Sequence, residues 1–515
     1  MGLSLITSAS YAADELVAEF GPLPPAFLPV GHRRLYEAQL ELLSAPVYLT
    51  LPASFEVPGA DQERLERAGV VTIKVPDGLR LGESIHYALE MIGHIDAGVR
   101  ILHGDTVIHD LPAGDDVVAV GEAPDAYAWG PADETQLAAD KAVLAGYFAF
   151  ADGLALRRAL TVSQGDFVAA VHEYGHQRPL ARAMVQSWFD CGHLQTYYRS
   201  RCSIRTSRAF NALSMNYQKV EKRSADKAKM EAEAAWYEDL PAPLRLYTPA
   251  FLGRCEETAQ DAGYAIEYVP SPSLHELFVF GDLGTAGWRS VFAACFEFMD
   301  ACLKAGAPTA AGNTLRELTR EKTAARLDSY LQSAGIPAAS EWRYRGRPLP
   351  SLHEVARLAS DAIDLERRDL LGVMHGDLCF TNAFYDFRSR RIRAIDPRGG
   401  TGKGRGIHGD LRYDLAKLNH SVHGCYDFIL ADRYHCAGFA GRDVALDFPG
   451  EAGLDRISAV AREFALGGCR LGDRETTAIT IHLFLSMLPL HSDHPQRQQA
   501  FLANALRLFA EGLDR

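Results

Sequence analysis

Paired cysteines, an excess of positive charge and long apolar runs are all missing from this chain of 515 residues. The nine cysteines are scattered, with no Cys-x-x-Cys pair and no regular spacing, which argues against a cysteine-built metal site or a disulfide framework and for reduced thiols in a cytosolic enzyme. A net charge of -13 excludes the dense basic face that a nucleic-acid backbone demands, although a single pocket can be basic within an acidic protein. No apolar run is long enough to span a bilayer, so membrane insertion is not expected. Met1 to Ser8 is apolar but has no basic segment before it and runs directly into a helical pattern. It reads as a first strand rather than a signal peptide, with the cytoplasm as the expected compartment.

What is present is an ordinary globular composition, 47% hydrophobic and 23% charged, in a chain long enough for two or three domains. The most informative stretch is His375-Gly376-Asp377-Leu378-Cys379-Phe380-Thr381-Asn382, followed by the strand that ends in Ile395-Asp396-Pro397. Leu371 to Met374 and Ile392 to Ile395 read as buried strands, so the functional carboxylates fall at strand ends. Phosphoryl transfer needs an acceptor hydroxyl oriented by a base and Mg²⁺ held against nucleotide phosphates. Asp377 can accept the hydroxyl proton. Mg²⁺ takes hard oxygen ligands and keeps several waters, so the amide oxygen of Asn382 and the carboxylate of Asp396 suffice. Cys379, inside the loop, is not expected to be a catalytic thiol.

This ordered set resembles the catalytic and metal loops of the aminoglycoside phosphotransferase and choline kinase family, whose fold is protein-kinase-like. The resemblance implies Asp377 as catalytic base, His375 as organiser of the catalytic loop, and Asn382 and Asp396 as Mg²⁺ ligands. Tyr413-Asp414-Leu415-Ala416 resembles the family's later Asp that braces the loop, while helix capping is an equal reading of Asp414. A kinase-like small lobe also needs a strand Lys and a helix Glu, and Lys222 and Glu233 are the choices, with Lys219 and Glu231 as alternatives. Glu267-Tyr268-Val269 resembles the hinge that reads adenine through backbone groups. Amphipathic helices near Gly287 to Leu303, Leu315 to Leu331 and Leu352 to Arg367 supply a helical large lobe.

The first part of the chain has another rhythm. From Leu3 to about Val120 apolar runs alternate with amphipathic stretches, at Leu3 to Thr7, Arg33 to Leu43, Val47 to Leu51, Gln62 to Ala68, Val70 to Ile73, Gly82 to Met91 and Val99 to Leu102. That alternation predicts an α/β domain with a mostly parallel sheet, whose ligands bind beyond the carboxyl ends of the strands. Gly104-Asp105 falls at one such end. Phe27 to Val30, Ala145 to Phe150 and Trp188 to His193 occur in an order that resembles the sugar-1-phosphate nucleotidyltransferases. The resemblance covers about residues 1 to 200 and implies that Asp105 and Asp190 bind Mg²⁺ between a nucleoside triphosphate and a sugar phosphate. That family carries a Gly-rich loop with an Arg after its first strand, and a Lys at the place of Pro24. Here Ser8-Ala9-Ser10-Tyr11-Ala12-Ala13 contains neither Gly nor Arg. The domain therefore either uses other residues or only binds a nucleotide sugar.

These readings combine as an α/β, Rossmann-like nucleotidyltransferase domain over residues 1 to 205 and an α+β protein-kinase-like domain over 206 to 515, with lobes dividing near 280. Arg199 to Arg208 is the expected junction. Gly399 to Gly406 fails the Walker pattern and reads as a mobile loop, with Lys403 and Arg405 as candidate phosphate contacts. The expected activity is ATP- and Mg²⁺-dependent phosphorylation of a sugar, amino sugar, polyol or amino alcohol, followed by nucleotidyl transfer to the product. Fusions of this kind resemble proteins of capsule or surface-polysaccharide synthesis. The alternatives are a kinase with an inactive nucleotide-sugar-binding domain, and a choline or ethanolamine kinase joined to a cytidylyltransferase. The last needs an aromatic or acidic cage for an ammonium group, and the sequence does not place Phe380, Tyr385 and Trp288 in one. Oligomeric state is left open.

Overall fold

The computed structural model describes residues 2–93, 95, 98–122, 142–204, 212–308, 314–401 and 404–514. The chain forms two compact units, Met1–Thr206 with Phe280–Asp282, and Ser207–Val279 with Leu283–Arg515. Among the described residues no helix is long and apolar enough to cross a membrane.

The first unit is built on seven strands, β1 (Leu3–Thr7), β2 (Val47–Pro52), β3 (Val71–Val75), β4 (Val99–His103), β5 (Val117–Glu122), β6 (Ala142–Phe150) and β7 (Ala181–Met184), in the order β7-β5-β6-β4-β1-β2-β3. The sheet is mixed: β1 runs parallel to β2 and β4, β2 to β3 and β5 to β7, whereas β6 is antiparallel to both neighbours. Alternation along the strands feeds two cores. Val99, Ile101, Phe148 and Phe150 face one, and Leu102, Tyr147 and Ala149 face the other. Each fully buried Phe contributes on the order of 1.5–3 kcal/mol. Helix Leu81–Ile92 seals the first core with Ile85, Ala88 and Leu89, one face of a 3.6-residue period.

Some expected elements are shorter. Arg33–Arg34 pairs with Pro29–Val30, so the expected helix from Arg33 is confined to Leu35–Leu40. Arg199 to Ser203 belongs to the helix Leu194–Ser203, which moves the start of the junction, while Arg205 to Arg208 lie outside the described residues.

The second unit opens with a four-stranded antiparallel sheet of β8 (Ala212–Met215), β9 (Lys219–Ser224), β10 (Phe251–Arg254) and β11 (Ala262–Glu267), in the order β8-β9-β11-β10. Between β9 and β10 lies α1 (Lys227–Asp239), started by the Asp226 carboxylate accepting the Lys229 N–H at 3.0 Å. Its buried stripe is Met230, Glu233, Ala234, Trp236 and Tyr237. The larger, helical part contains α2 (Thr285–Ala305), α3 (Lys322–Ala334), α4 (Arg412–Val422), α5 (Arg474–Met487) and α6 (Pro495–Gly512), with α4 and α5 buried almost throughout. A π-helical turn, Glu317–Glu321, leads directly into α3. Helix Leu352–Asp361 stops short of the expected Arg367.

Candidate functional site

The loop Met374–Asn382 lies between β12 (Leu371–Val373) and β13 (Ala383–Asp386), and β13 forms a hairpin with β14 (Arg391–Ala394). In that hairpin Ala383 pairs with Ala394, and the Ile395 N–H donates to the Asn382 carbonyl at 2.9 Å. Register alone thus carries Asp396 to the side of Asn382. Asn382 Nδ2 donates at 3.0 Å to both the carbonyl and Oδ2 of Asp377, which occupies the amide's nitrogen and leaves its oxygen as the group to offer a cation. Asp396 has φ 56°, in the left-handed region that non-glycine residues rarely adopt and that recurs at functional sites.

Two buried groups hold the loop from behind. Asp414, inside α4, accepts the N–H groups of His375 at 2.8 Å and Gly376 at 2.7 Å, so it braces the loop instead of capping its own helix. Burial raises its carboxyl to about 7. His375 accepts the Asp377 N–H through Nδ1 at 3.2 Å and lies edge-on to Trp236, whose indole donates to the Met374 carbonyl at 2.9 Å. Burial holds its imidazole neutral, with a pKa near 4. It contacts the loop backbone and Trp236, at the back of the loop. Cys379 is buried and its thiol is pushed up to about 12 by burial, so it stays protonated.

The small-lobe cation reaches the same place. Lys222 Nζ lies 2.7 Å from Glu233 Oε2 and 3.1 Å from Asp396 Oδ1, and the Tyr264 hydroxyl donates to Glu233 at 2.8 Å. Burial alone lowers the Lys222 pKa, but Asp396 and Glu233 more than reverse it and keep the ammonium charged. The alternatives are occupied at the surface, Lys219 with Glu221 at 2.6 Å and Glu231 with Arg254. Glu267 ends β11 away from this cluster: its N–H donates to the Ala250 carbonyl at 2.9 Å and its carboxylate accepts the Ala250 N–H at 3.2 Å. Both of these groups serve the sheet. No glycine occurs between Gly192 and Gly253, so this lobe lacks a glycine loop over the phosphates.

Sequence reading missed the cations on the far side of Asp377. Lys417 Nζ lies 2.7 Å from Asp377 Oδ1, and Arg398 donates to the Gly376 carbonyl at 3.1 Å. Burial by itself raises the Asp377 carboxyl, but Lys417 and Arg398 hold it well below the usual carboxylate range. No motif in the sequence marks them. Lys403 lies outside the described residues, as does the side chain of Arg405. Phe380 and Trp288 stack at 6.2 Å within the core and Tyr385 is 2% exposed, so these three rings form no cage.

In the first unit Thr106–Ile108 pairs antiparallel with Trp188–Asp190, matching Thr106 to Asp190. Asp105 Oδ2 and Asp190 Oδ1 converge on Gly192, lying 2.5 Å and 3.3 Å from where a Cβ would stand there. Burial and the Asp190 charge raise the Asp105 carboxyl to about 6. Asp190 also binds the His193 ring at 3.0 Å and the Thr196 hydroxyl. Among the described residues no three His, Cys, Asp or Glu groups gather as a metal site, and Asp105 and Asp190 form a pair of carboxylates. In the segment after β1, Ser8 and Ala12 are buried and Ser10, Tyr11 and Ala13 are exposed. The Ser8 N–H donates to Thr50 Oγ1 at 2.8 Å, Ser8 Oγ accepts the Ala26 N–H at 3.0 Å, and the Ala12 N–H donates to the Leu23 carbonyl at 2.9 Å.

No protein-family model and no curated protein matches the chain. Solved structures of two kinds are similar to it. A UDP-glucose pyrophosphorylase complexed with UDP-glucose is 12% identical over 39% of this chain and 98% of its own, with a TM-score of 0.30. A putative glucose-1-phosphate thymidylyltransferase from Bacillus anthracis is 12% identical over 40% and 97%, with a TM-score of 0.31. A thermostable mutant of aminoglycoside phosphotransferase APH(4)-Ia is 14% identical over 60% and 94%, with a TM-score of 0.38.

Proposed function

We propose that the second unit is a small-molecule kinase that transfers the γ-phosphoryl group of ATP to a hydroxyl group. The observation that carries this reading is the convergence of Lys222, paired with Glu233, on Asp396 at 3.1 Å, in a loop where Asn382 holds Asp377. Lys222 positions nucleotide phosphates, and Glu233 and Tyr264 position Lys222. Asn382 Oδ1 and the Asp396 carboxylate are hard oxygen donors that fit Mg²⁺. When bound, that ion neutralises charge on the transferring phosphoryl group. The acceptor oxygen bonds to the γ-phosphorus as the bond to the β,γ-bridging oxygen breaks. ADP leaves, and the hydroxyl proton passes to Asp377. A carboxylate of so low a pKa is a weak base, which suits a loose transition state in which the proton leaves late.

The first unit, on this reading, acts on the phosphorylated product as a sugar-phosphate nucleotidyltransferase, with Asp105 and Asp190 holding Mg²⁺. A second reading is supported by the Ser8 to Ala13 segment: with the Ser8 and Ala12 N–H groups bonded within the unit and no Gly or cation in the segment, the unit binds a nucleotide sugar without releasing pyrophosphate. The test incubates the full chain with Mg²⁺, ATP, each other nucleoside triphosphate and a panel of sugars, polyols and amino alcohols, with products read by mass spectrometry. Asp377→Ala should abolish phosphorylation and Asp105→Ala should spare it. Equal loss in both folded variants would sink the two-site reading. Tight nucleotide-sugar binding with no pyrophosphate released, while the kinase turns over, selects the second reading.

A further inference from the structure

The side of Asp377 that faces away from Asn382 is lined by cations of which, among the described residues, only Lys417 has a carboxylate partner. Lys417 takes Asp377 Oδ1 at 2.7 Å. Behind it the Tyr413 hydroxyl receives Arg398 at 3.2 Å and Lys322 at 3.4 Å. Arg326 sits one helical turn from Lys322 on the same face of α3, its guanidinium donating to the Ser486 carbonyl at 3.0 Å. Among the described residues none of Arg398, Lys322 and Arg326 has a carboxylate partner. The acids that act on Arg398 are Asp377, engaged by Lys417, and Asp414, whose oxygens receive two loop N–H groups. Four cations therefore meet one committed carboxylate and one carboxyl that burial raises to about 7.

The groups register this imbalance. Burial pushes the Tyr413 phenol up, but Arg398, Lys322 and Lys417 together outweigh it and bring it down to about 8. Burial, with Arg398, Lys417 and Arg326 nearby, lowers Lys322 to about 8, so it is still charged at neutral pH while repelled by its neighbours. Clustering like charges in a half-buried place is unfavourable unless an anion completes it. The π-helical turn Glu317–Glu321 immediately precedes Lys322, and such turns recur at functional sites.

We propose that this cluster is the acceptor subsite and that the acceptor is an anion, a hydroxyl compound that already carries a phosphate or carboxylate group. Lys322 and Arg326 hold the oxyanion, with Arg398 between them and the loop, and the acceptor hydroxyl is thereby presented to Asp377. The acceptor assignment rests on the kinase reading, whereas the anion site itself does not.

The test uses the full chain saturated with Mg²⁺ and the non-transferable nucleotide AMP-PNP, so that the nucleotide phosphates are already in place. Glucose, glucosamine, glucuronate, glucose 6-phosphate and inorganic phosphate are titrated by calorimetry, and transfer to the four sugars is then assayed with ATP. Phosphate or a phosphorylated or carboxylated sugar should bind, and Lys322→Met with Arg326→Gln should weaken that binding about ten- to a hundredfold, the effect of removing charge-assisted hydrogen bonds. Arg326→Lys should restore most of it. Glucuronate against glucose 6-phosphate distinguishes carboxylate from phosphate. Absence of anion binding, its disappearance when AMP-PNP is present, or indifference to the double substitution in a folded protein overturns the proposal. Transfer only to glucose or glucosamine likewise overturns it while leaving the kinase reading standing. Anion binding that depends on Lys322, without transfer to any member of the wider panel of sugars, polyols and amino alcohols, keeps the site and removes the kinase reading.

Discussion

Asp396 places a carboxylate oxygen 3.1 Å from the Lys222 ammonium while its own backbone stands at φ 56°. Asn tolerates the left-handed region and Ala does not. Asp396→Asn should keep the fold and lose at least about a hundredfold in kcat, since a preorganised electrostatic contact is gone. Asp396→Ala should lose similar activity and be less stable than Asp396→Asn by about 1 kcal/mol. Urea midpoints of the two variants check the difference.

Lys222 and Glu233 are 6% and 2% exposed. Removing one member of a buried pair strands the other, a cost of roughly 3–5 kcal/mol. Lys222→Met should therefore be strongly destabilised, and Lys222→Met with Glu233→Gln should regain much of that stability while remaining inactive. Denaturation curves beside a kinase assay separate the two effects. Recovery of activity in the double variant would contradict the role given to Lys222.

Asp105 carries a carboxyl raised to about 6 against an ordinary 3.8. Because the folded form holds its proton more tightly, the contribution of Asp105 to stability is full below about pH 4 and lost as pH rises through 6. Asp105→Asn should raise the melting temperature at pH 8 without metal and change it little at pH 4. Added Mg²⁺ should stabilise the parent protein at pH 8 and not the variant, as scanning calorimetry can show.

Buried histidines act in the opposite direction. His375 and His482 are held near 4 and His423 near 3 by burial, against an ordinary 6.5. The unfolded chain binds more protons between those values, so stability falls as pH drops from 6.5 towards 4, by up to about 1.4 kcal/mol per pH unit for each group. Asp414 offsets only one of them. Urea midpoints of the second unit should decline over that window, and His482→Gln should reduce the decline by about one proton.

The placement of Asn382 beside Asp396 was legible because the residues are local in sequence and their spacing fits one hairpin. Glu233 also carried a local signal, a carboxylate inside the apolar stripe of Met230, Ala234 and Tyr237. Lys222 shares a strand face with Val220, and that two-residue period distinguishes it from Lys219 only once the inward face is known. The expected helix from Arg33 failed because pairing of Arg33–Arg34 with Pro29–Val30 overrode the apolar period. Lys322, Arg398 and Lys417 stand on three separate segments, and only the packing of α3, α4 and the loop brings them together. No period or motif could announce them.

The hairpin of β13 and β14 sets a rule about length as well as position. Its closed end, Phe387–Arg390, is remote from the pairing of Ala383 with Ala394, so residues added there extend a surface loop and leave Asn382 beside Asp396. One residue inserted within either strand turns every following side chain to the opposite face. Chain length is thus free at one end of the hairpin and forbidden along its strands, a constraint on insertions that acts independently of which side chains the strands carry.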